Sequence, residues 1–344
     1  MSSPMVRSDV PKGLAADLYK WDLEARADYD KKEGPTLLDK FTDVKPMSEV
    51  KGSFYQRTTA LTDDKLGYRA DYGLSDKASL KDGWTIYGKK KHASKMFSVY
   101  SEVANDWFRY TNFIKDFIKS TGPEWIYNTK EDILMMAINN GALTAGHTQA
   151  FDNNSSDAGI PSQTADLPYD AVPWFDAAHT AKGHTTTYDN CMSETGLSPS
   201  EVANGINAAG VKNMYVRFAE TNAKMENGAN FNNTKDIYVL TSMAGAMDWK
   251  SVLGSQLNPD DDNNANNYIK GLIDPKNVIG TNLMETKTAS VLFRKKGIAC
   301  FIEEPKYEFL SEKEPDLDWV RVSFDYIFVI ENWRFALANN LPLV

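Results

Sequence analysis

Apolar residues recur along this chain in two rhythms. Val103, Trp107, Tyr110, Ile114 and Phe117 follow one another at steps of four, three, four and three, which returns them to one face of a helix. Lys115, Asp116 and Lys119 fall off that face. Gly122-Pro123 predicts an interruption. A second helix is expected from Thr129, with Asp132 in a near capping box, carrying Ile133, Leu134, Ala137 and Ile138 up to Gly141. Together the two segments can form one long, kinked spine. Towards the other end the period is two. Val320, Val322, Phe324, Tyr326, Phe328 and Ile330 alternate with Arg321, Ser323, Asp325, Ile327 and Val329, which predicts a long strand with one strongly apolar face.

Between residues 50 and 91 the pattern is sparser. Ser53 to Leu61 is rich in aromatic and β-branched residues and reads as a strand, as do Tyr68 to Gly73 and Trp84 to Tyr87. Polar linkers separate these runs, and there are too few apolar residues for a core. A long projecting β-hairpin supported by neighbours fits this pattern, and so does a small three-stranded subdomain. Residues 1 to about 50 are polar and punctuated by Gly13, Gly34, Pro35 and Pro46, with one short helix expected around Leu14 to Tyr29. They read either as an arm that becomes ordered on another surface or as a tail without a role.

Residues 145 to 190 are loop-rich. Ser198-Pro199 with Glu201 announces a helix start. The strand Ile237 to Leu240 leads into a helix from Met243 to Leu253, and residues 259–264 form a solvated loop. Further strands are expected at Val278 to Gly280, Ser290 to Phe293 and Ala299 to Ile302, with a turn at Lys295-Lys296-Gly297. Helices and strands mix without a βαβ rhythm, so the fold class is α+β. No internal repeat is present.

Composition narrows the function. The 344 residues suffice for about two domains, and a net charge of −9 gives no general attraction to nucleic acid. Enclosing DNA without reading its sequence remains compatible with that charge. Cys191 and Cys300 are the only cysteines, which makes no disulfide framework and suits a reducing compartment. The longest apolar runs, Ile133 to Ile138 and Tyr326 to Ile330, are far short of a membrane span, and a soluble protein made in the cytoplasm is expected.

Candidate chemistry is thin. Phosphate-binding glycine patterns and the serine nucleophile elbow are missing. His179, His184 and Cys191 carry zinc-binding groups, but their spacing matches no familiar finger and lacks a fourth ligand nearby. Asp260, Asp262 and Asn264 imitate a calcium loop, yet Ala265 stands where glycine is needed and Gly271 where the bidentate glutamate belongs. A hydrated loop is the simpler reading, with a weak cation site as the alternative. Glu303-Glu304 and Asp316 with Asp318 read as exposed acids, since adjacency in sequence does not set a catalytic separation. Lys89-Lys90-Lys91 reads as a solvated turn, or as a grip on an acidic neighbour or phosphate. No enzyme activity, metal or cofactor is expected.

Five segments carry a resemblance when taken in order. They are the extended stretch Val50 to Lys91; the spine within Val103 to Gly141, including Lys130-Glu131-Asp132-Ile133-Leu134; and Pro173-Trp174-Phe175-Asp176-Ala177-Ala178-His179 through Leu197-Ser198. Lys235-Asp236-Ile237-Tyr238-Val239-Leu240-Thr241-Ser242 with Met243 to Leu253 follows, and then Val320 to Ile330 with Glu331-Asn332-Trp333-Arg334. This order resembles the major capsid proteins of tailed bacteriophages, whose Hong Kong 97-type fold is shared with encapsulin shells. The resemblance implies an N-terminal arm over 1–49 and an extended β-hairpin loop over 50–95. It further implies a peripheral domain with a long spine helix over 96–190 and 312–344, and an axial domain over 191–311.

The implied function is a major capsid protein. Hexamers and pentamers would close an icosahedral shell around double-stranded DNA, with a portal protein and scaffolding and decoration proteins as partners. The location would be the virion, after assembly in the host bacterial cytoplasm. Phe54, Tyr55, Trp84 and Tyr87 are the expected intersubunit contacts. The long helical scaffolding segment that opens some family members is missing here, so a separate scaffold or none is expected. No lysine–asparagine crosslinking pair is identifiable. The alternatives are an encapsulin-like compartment for protein cargo, a metal-assisted hydrolase using His179 and His184, and a phage tail component.

Overall fold

The computed structural model of the chain describes residues 24, 34–50, 54–61, 81–100, 116–139, 172–180, 186–192, 206–224, 230–255, 269–284, 288–311 and 317–341. Several expectations lie outside these residues: the helix over 14–29 apart from Glu24, the strand over 68–73, most of the helix over 103–117, the helix start at Ser198 and the loop over 259–264.

The first element, α1 (Leu37–Phe41), is opened by a capping box between Thr36 and Asp39. Strands β1 (Asp43–Pro46), β2 (Phe54–Leu61), β3 (Lys81–Lys89) and β4 (Lys91–Tyr100) follow. A wide π-type turn, Phe117–Thr121, then runs directly into α2 (Gly122–Asn139). The interruption expected at Gly122-Pro123 does not occur. Pro123 lies inside a continuous helical run, just after the wide turn. The turn before it closes by Gly122 N–H donating to the Phe117 carbonyl five residues back, which opens the backbone where a proline ring would otherwise crowd the preceding carbonyl. Thr129 is therefore not a cap. It sits inside the helix, with its hydroxyl donated to the Trp125 carbonyl at 2.7 Å. Gly122 is needed for packing, because a Cβ there would collide with the Tyr307 hydroxyl.

Short strands β5 (His179–Thr180), β6 (Thr187–Tyr188) and β7 (Cys191–Met192) precede α3 (Ala208–Val216), which Asn207 caps through the Gly210 amide. Next come β8 (Tyr238–Ser242) and α4 (Met243–Gly254), capped by the Ser242 hydroxyl on Gly245 N–H. Strands β9 (Val278–Thr281), β10 (Ser290–Phe293), β11 (Ile298–Ile302), β12 (Lys306–Ser311), β13 (Leu317–Ile330) and β14 (Ala336–Asn339) complete the order.

Two five-stranded sheets organise these elements. In the first, β13 is the axis. One edge pairs antiparallel with β4 from Leu317↔Tyr100 to Tyr326↔Lys91. The other edge pairs first with β12 and then with β11, whose far edge carries β1 in parallel. The second sheet runs β7-β14-β10-β8-β9. The sheets cut across the expected segment bounds: β11 and β12, inside 191–311, pair with β13, whereas β14, inside 312–344, pairs with β10.

Side-chain alternation in the second sheet divides the interior in two. Leu240, Val291, Phe293, Ala336 and Ala338 face a cluster shared with α1, α2 and the first sheet. Val239, Leu292, Leu337 and Val278 face the other way, against Val211 and Met214 of α3 and Trp249 and Val252 of α4. The registers Leu292↔Val239 and Leu292↔Leu337 keep this division in step across three strands. Burying each such aliphatic side chain is worth about 1.5–3 kcal/mol, so a strand covered on both faces holds both clusters to one frame.

Strand β13 departs from its expected single apolar face. Val322, Phe324, Phe328 and Ile330 are buried, but so are Ile327 and Val329 of the opposite set. What covers this second face positions the candidate site.

Candidate assembly surface

Strands β2 and β3 form a separate two-stranded sheet with Phe54↔Lys89, Tyr55↔Gly88 and Gln56↔Tyr87 in register. Between Thr58↔Thr85 and Ala60↔Asp82 the register shifts by one, so Gly83 and Trp84 together oppose Thr59. Such a bulge sharpens the local twist of the ribbon.

The root of this hairpin lies over the second face of β13. The Tyr55 ring packs on Phe301 at 4.7 Å between centroids, and its hydroxyl donates to Glu331 Oε1 at 3.4 Å. Phe301 is the register partner of Ile327, so both point at the hairpin. Gly88 lets the backbones approach: a Cβ there would stand 2.5 Å from Val329 Cγ2 and 2.7 Å from Ile327 Cγ2. From the far side, Lys45 Nζ of β1 sits 5.8 Å from the centre of the Phe301 ring.

Of the four expected intersubunit residues, Tyr55 is thus engaged within its own chain, fastening the hairpin to the sheet. Phe54, Trp84 and Tyr87 are described as backbone positions along the same ribbon. The sequence offered no signal for the role of Tyr55, because all four are aromatic residues of strand-like stretches.

Where β3 passes into β4, charges converge on Asp325. Its carboxylate accepts from Lys90 Nζ at 2.5 Å and from His92 Nδ1 at 2.6 Å. Glu303 lies 3.9 Å from Lys90 and holds Lys306 at 2.5 Å. Burial pushes the Asp325 pKa up, but the Lys90 and His92 hydrogen bonds outweigh it and keep the group below the ordinary carboxylate range. Lys90, in the middle of the lysine run at 89–91, therefore grips an acidic neighbour of its own chain, and Glu303 belongs to the same ionic group.

On the first face of β13 lies α2. Between them is an open groove of about 600 Å³, lined by Trp125, Ile133, Met136, Val322, Phe324 and Tyr326. Lys95 Nζ of β4 sits 4.3 Å over the Trp125 ring. Met136 in this groove is 47% exposed, whereas Met96, also exposed, is the register partner of Arg321 on the opposite face of the sheet.

The residues weighed for metal binding lie in part among the described residues. His179 is fully buried, stacked on Trp333 at 4.3 Å between ring centres, and its Nε2–H donates to the Trp174 carbonyl at 3.1 Å. Cys191 is buried in β7, while His184 lies outside the described residues. No group of three metal-binding side chains occurs among the described residues, and none of the described helices is long and apolar enough to cross a membrane.

The sequence matches no protein-family model and no curated protein. Solved structures are similar to it. A chain of Mycobacterium phage Patience matches at TM-score 0.52 with 11% identity, over 95% of this chain and 88% of that one. A chain of the capsid structure of cyanophage P-SCSP1u matches at TM-score 0.45 with 10% identity, over 89% and 88%. A chain of the virus-like particle from Pyrococcus furiosus matches at TM-score 0.45 with 11% identity, over 94% and 98%. At such identities the likeness is one of fold. The likeness to the Patience phage chain shows a shared fold, and the names of the other two are those of a capsid and of a virus-like particle. The architecture itself is mixed α+β, as the sequence predicts.

Proposed function

We propose that this chain is the major capsid protein of a tailed phage, a structural rather than enzymatic component. It self-assembles as hexamers and pentamers into an icosahedral shell around double-stranded DNA. The observation that carries this reading is the fold shared with the Patience phage chain over 95% of the present sequence. Fold alone does not determine function. The second support is therefore the β2–β3 ribbon, which is rooted on the chain's own sheet yet forms a sheet of its own. A two-stranded ribbon is marginal in water by itself, and contact with neighbouring copies would supply the missing burial.

In this reading residues 1–49 form an arm, 50–95 the extended loop, 96–190 and 312–344 the peripheral domain, and 191–311 the axial domain. Phe54, Trp84 and Tyr87 contact adjacent subunits, and Tyr55 anchors the loop at home. Portal, scaffolding and decoration proteins are the heterologous partners, and the assembled protein resides in the virion after assembly in the host cytoplasm. The net charge of −9 suits enclosure of DNA without sequence-specific binding.

Sedimentation velocity of the purified protein, with electron microscopy of the fast fraction, tests the reading. Closed regular particles are expected. A compact monodisperse monomer under all assembly conditions would overturn it, and closed particles that recruit protein cargo instead of packaging DNA would mark a compartment. Replacing residues 58–85 by a short turn keeps Tyr55 and Gly88 in place. That variant should fold as a subunit and fail to close shells.

A further inference from the structure

Asp325 holds both sides of the point where the ribbon leaves the first sheet. Lys90 is the single residue between β3 and β4. From Lys91 onward β4 pairs with β13, whereas β3 crosses the face of that same strand and pairs with β2. The contacts that seat the ribbon beyond this point are chiefly apolar, Tyr55 on Phe301 and Gly88 against Ile327 and Val329, with one long hydrogen bond from the Tyr55 hydroxyl to Glu331 at 3.4 Å. Apolar burial has no preferred direction, and the missing Cβ at Gly88 leaves a smooth bearing. The carboxylate contacts are different. They are directional and charge-assisted, and they converge on the residue at the bend and on His92 two positions later.

We infer that Lys90 is a hinge and Asp325 its latch, so that β2 and β3 swing as a unit about Lys90 when the Asp325 charge is lost, while β4 stays paired with β13. The surroundings suit this role. The Asp325 backbone is itself fixed, because its carbonyl accepts from the Glu303 amide at 2.8 Å. Glu303 approaches Lys90 from the β11–β12 connection and is balanced by Lys306. Loss of the Asp325 carboxylate would leave Lys90 with the more distant of its two acids. The inference concerns a single chain and is independent of shell formation.

Hydrogen exchange by mass spectrometry tests it, on full chains of wild type, Asp325→Asn and Lys90→Gln compared in one assembly state. In both variants the amides of 54–61 and 81–89 should exchange about fivefold faster or more, as fits the loss of two partly exposed ionic contacts. Residues 91–100 and 317–330 should keep wild-type protection. Unchanged exchange in the ribbon of either variant would overturn the hinge. Equal loss of protection in β4 and β13 would also overturn it, because Asp325 would then be holding the sheet together and not the ribbon's angle.

Discussion

The Leu37 amide donates to Glu131 Oε1 at 2.6 Å, joining residues 94 positions apart. Leu37 opens α1 and Glu131 lies in the middle of α2, so a carboxylate on one helix satisfies an amide left unpaired at the start of the other. Burial raises the Glu131 pKa above 4.5, with the Leu37 amide pulling it back. The folded state therefore keeps this proton to higher pH than the unfolded chain. Stability contributed by Glu131 falls as the pH climbs from about 4.5 through the folded value. Glu131→Gln retains an acceptor without the charge. It should match or exceed wild-type stability at neutral pH by up to about 1 kcal/mol and flatten this part of the pH dependence. Glu131→Ala should lose about 1–3 kcal/mol by stranding the Leu37 amide. Urea unfolding at neutral pH and at about pH 4.5 measures each outcome.

Gly88→Ala drives a methyl into Val329 and Ile327, both β-branched and both buried. Neither neighbour can rotate away cheaply. A loss of about 1–3 kcal/mol is expected from overpacking. Pairing Gly88→Ala with Val329→Ala should recover part of it in a double-mutant cycle.

Asn190 is a fully buried junction. Its amide donates to the Trp174 carbonyl at 2.8 Å and the Trp333 carbonyl at 3.3 Å, its side-chain oxygen accepts from Asp176 N–H at 2.8 Å, and its own carbonyl accepts from Ala338 N–H at 2.8 Å. Asn190→Ala should cost about 3 kcal/mol or more, since several buried groups lose partners at once. Asn190→Asp should cost more at neutral pH, because a carboxylate would face two carbonyls. Calorimetric melting distinguishes the two.

Burial pushes the Cys300 thiol up to about 12. Alkylating reagents act on the thiolate. Native protein at mildly alkaline pH should leave Cys300 unlabelled, and labelling should appear in step with unfolding when denaturant is raised.

Much of this architecture is legible in the residues. Ser290 to Phe293 forms a strand with the expected bounds, Met243 begins α4, and the alternation from Val320 to Ile330 lies within β13. These succeed because local period and burial agree. Gly122-Pro123 misleads because proline ordinarily breaks a helix interior, and only the π-type turn before it lets the helix run through. The second buried face of β13 was hidden because Ile327 and Val329 are covered by Gly88, and Phe301 beside them by Tyr55, each more than 200 residues earlier in the chain. Asp325 escaped notice for a related reason. A lone acid at an outward strand position looks solvated until Lys90 and His92 are folded against it.

The pairing of β4 with β13 has a consequence for the order of events in the cell. His92 and Asp325 are 233 positions apart, so a chain emerging from its N-terminus completes β2, β3 and β4 long before their seat exists. Non-local pairings of this kind are slow to form because loop closure must come first. Until Phe301, Ile327 and Val329 are synthesised, Tyr55 has no floor and the ribbon has no fixed exit. Translation thus sets a clock: the ribbon acquires a direction in space only on a chain finished past β13.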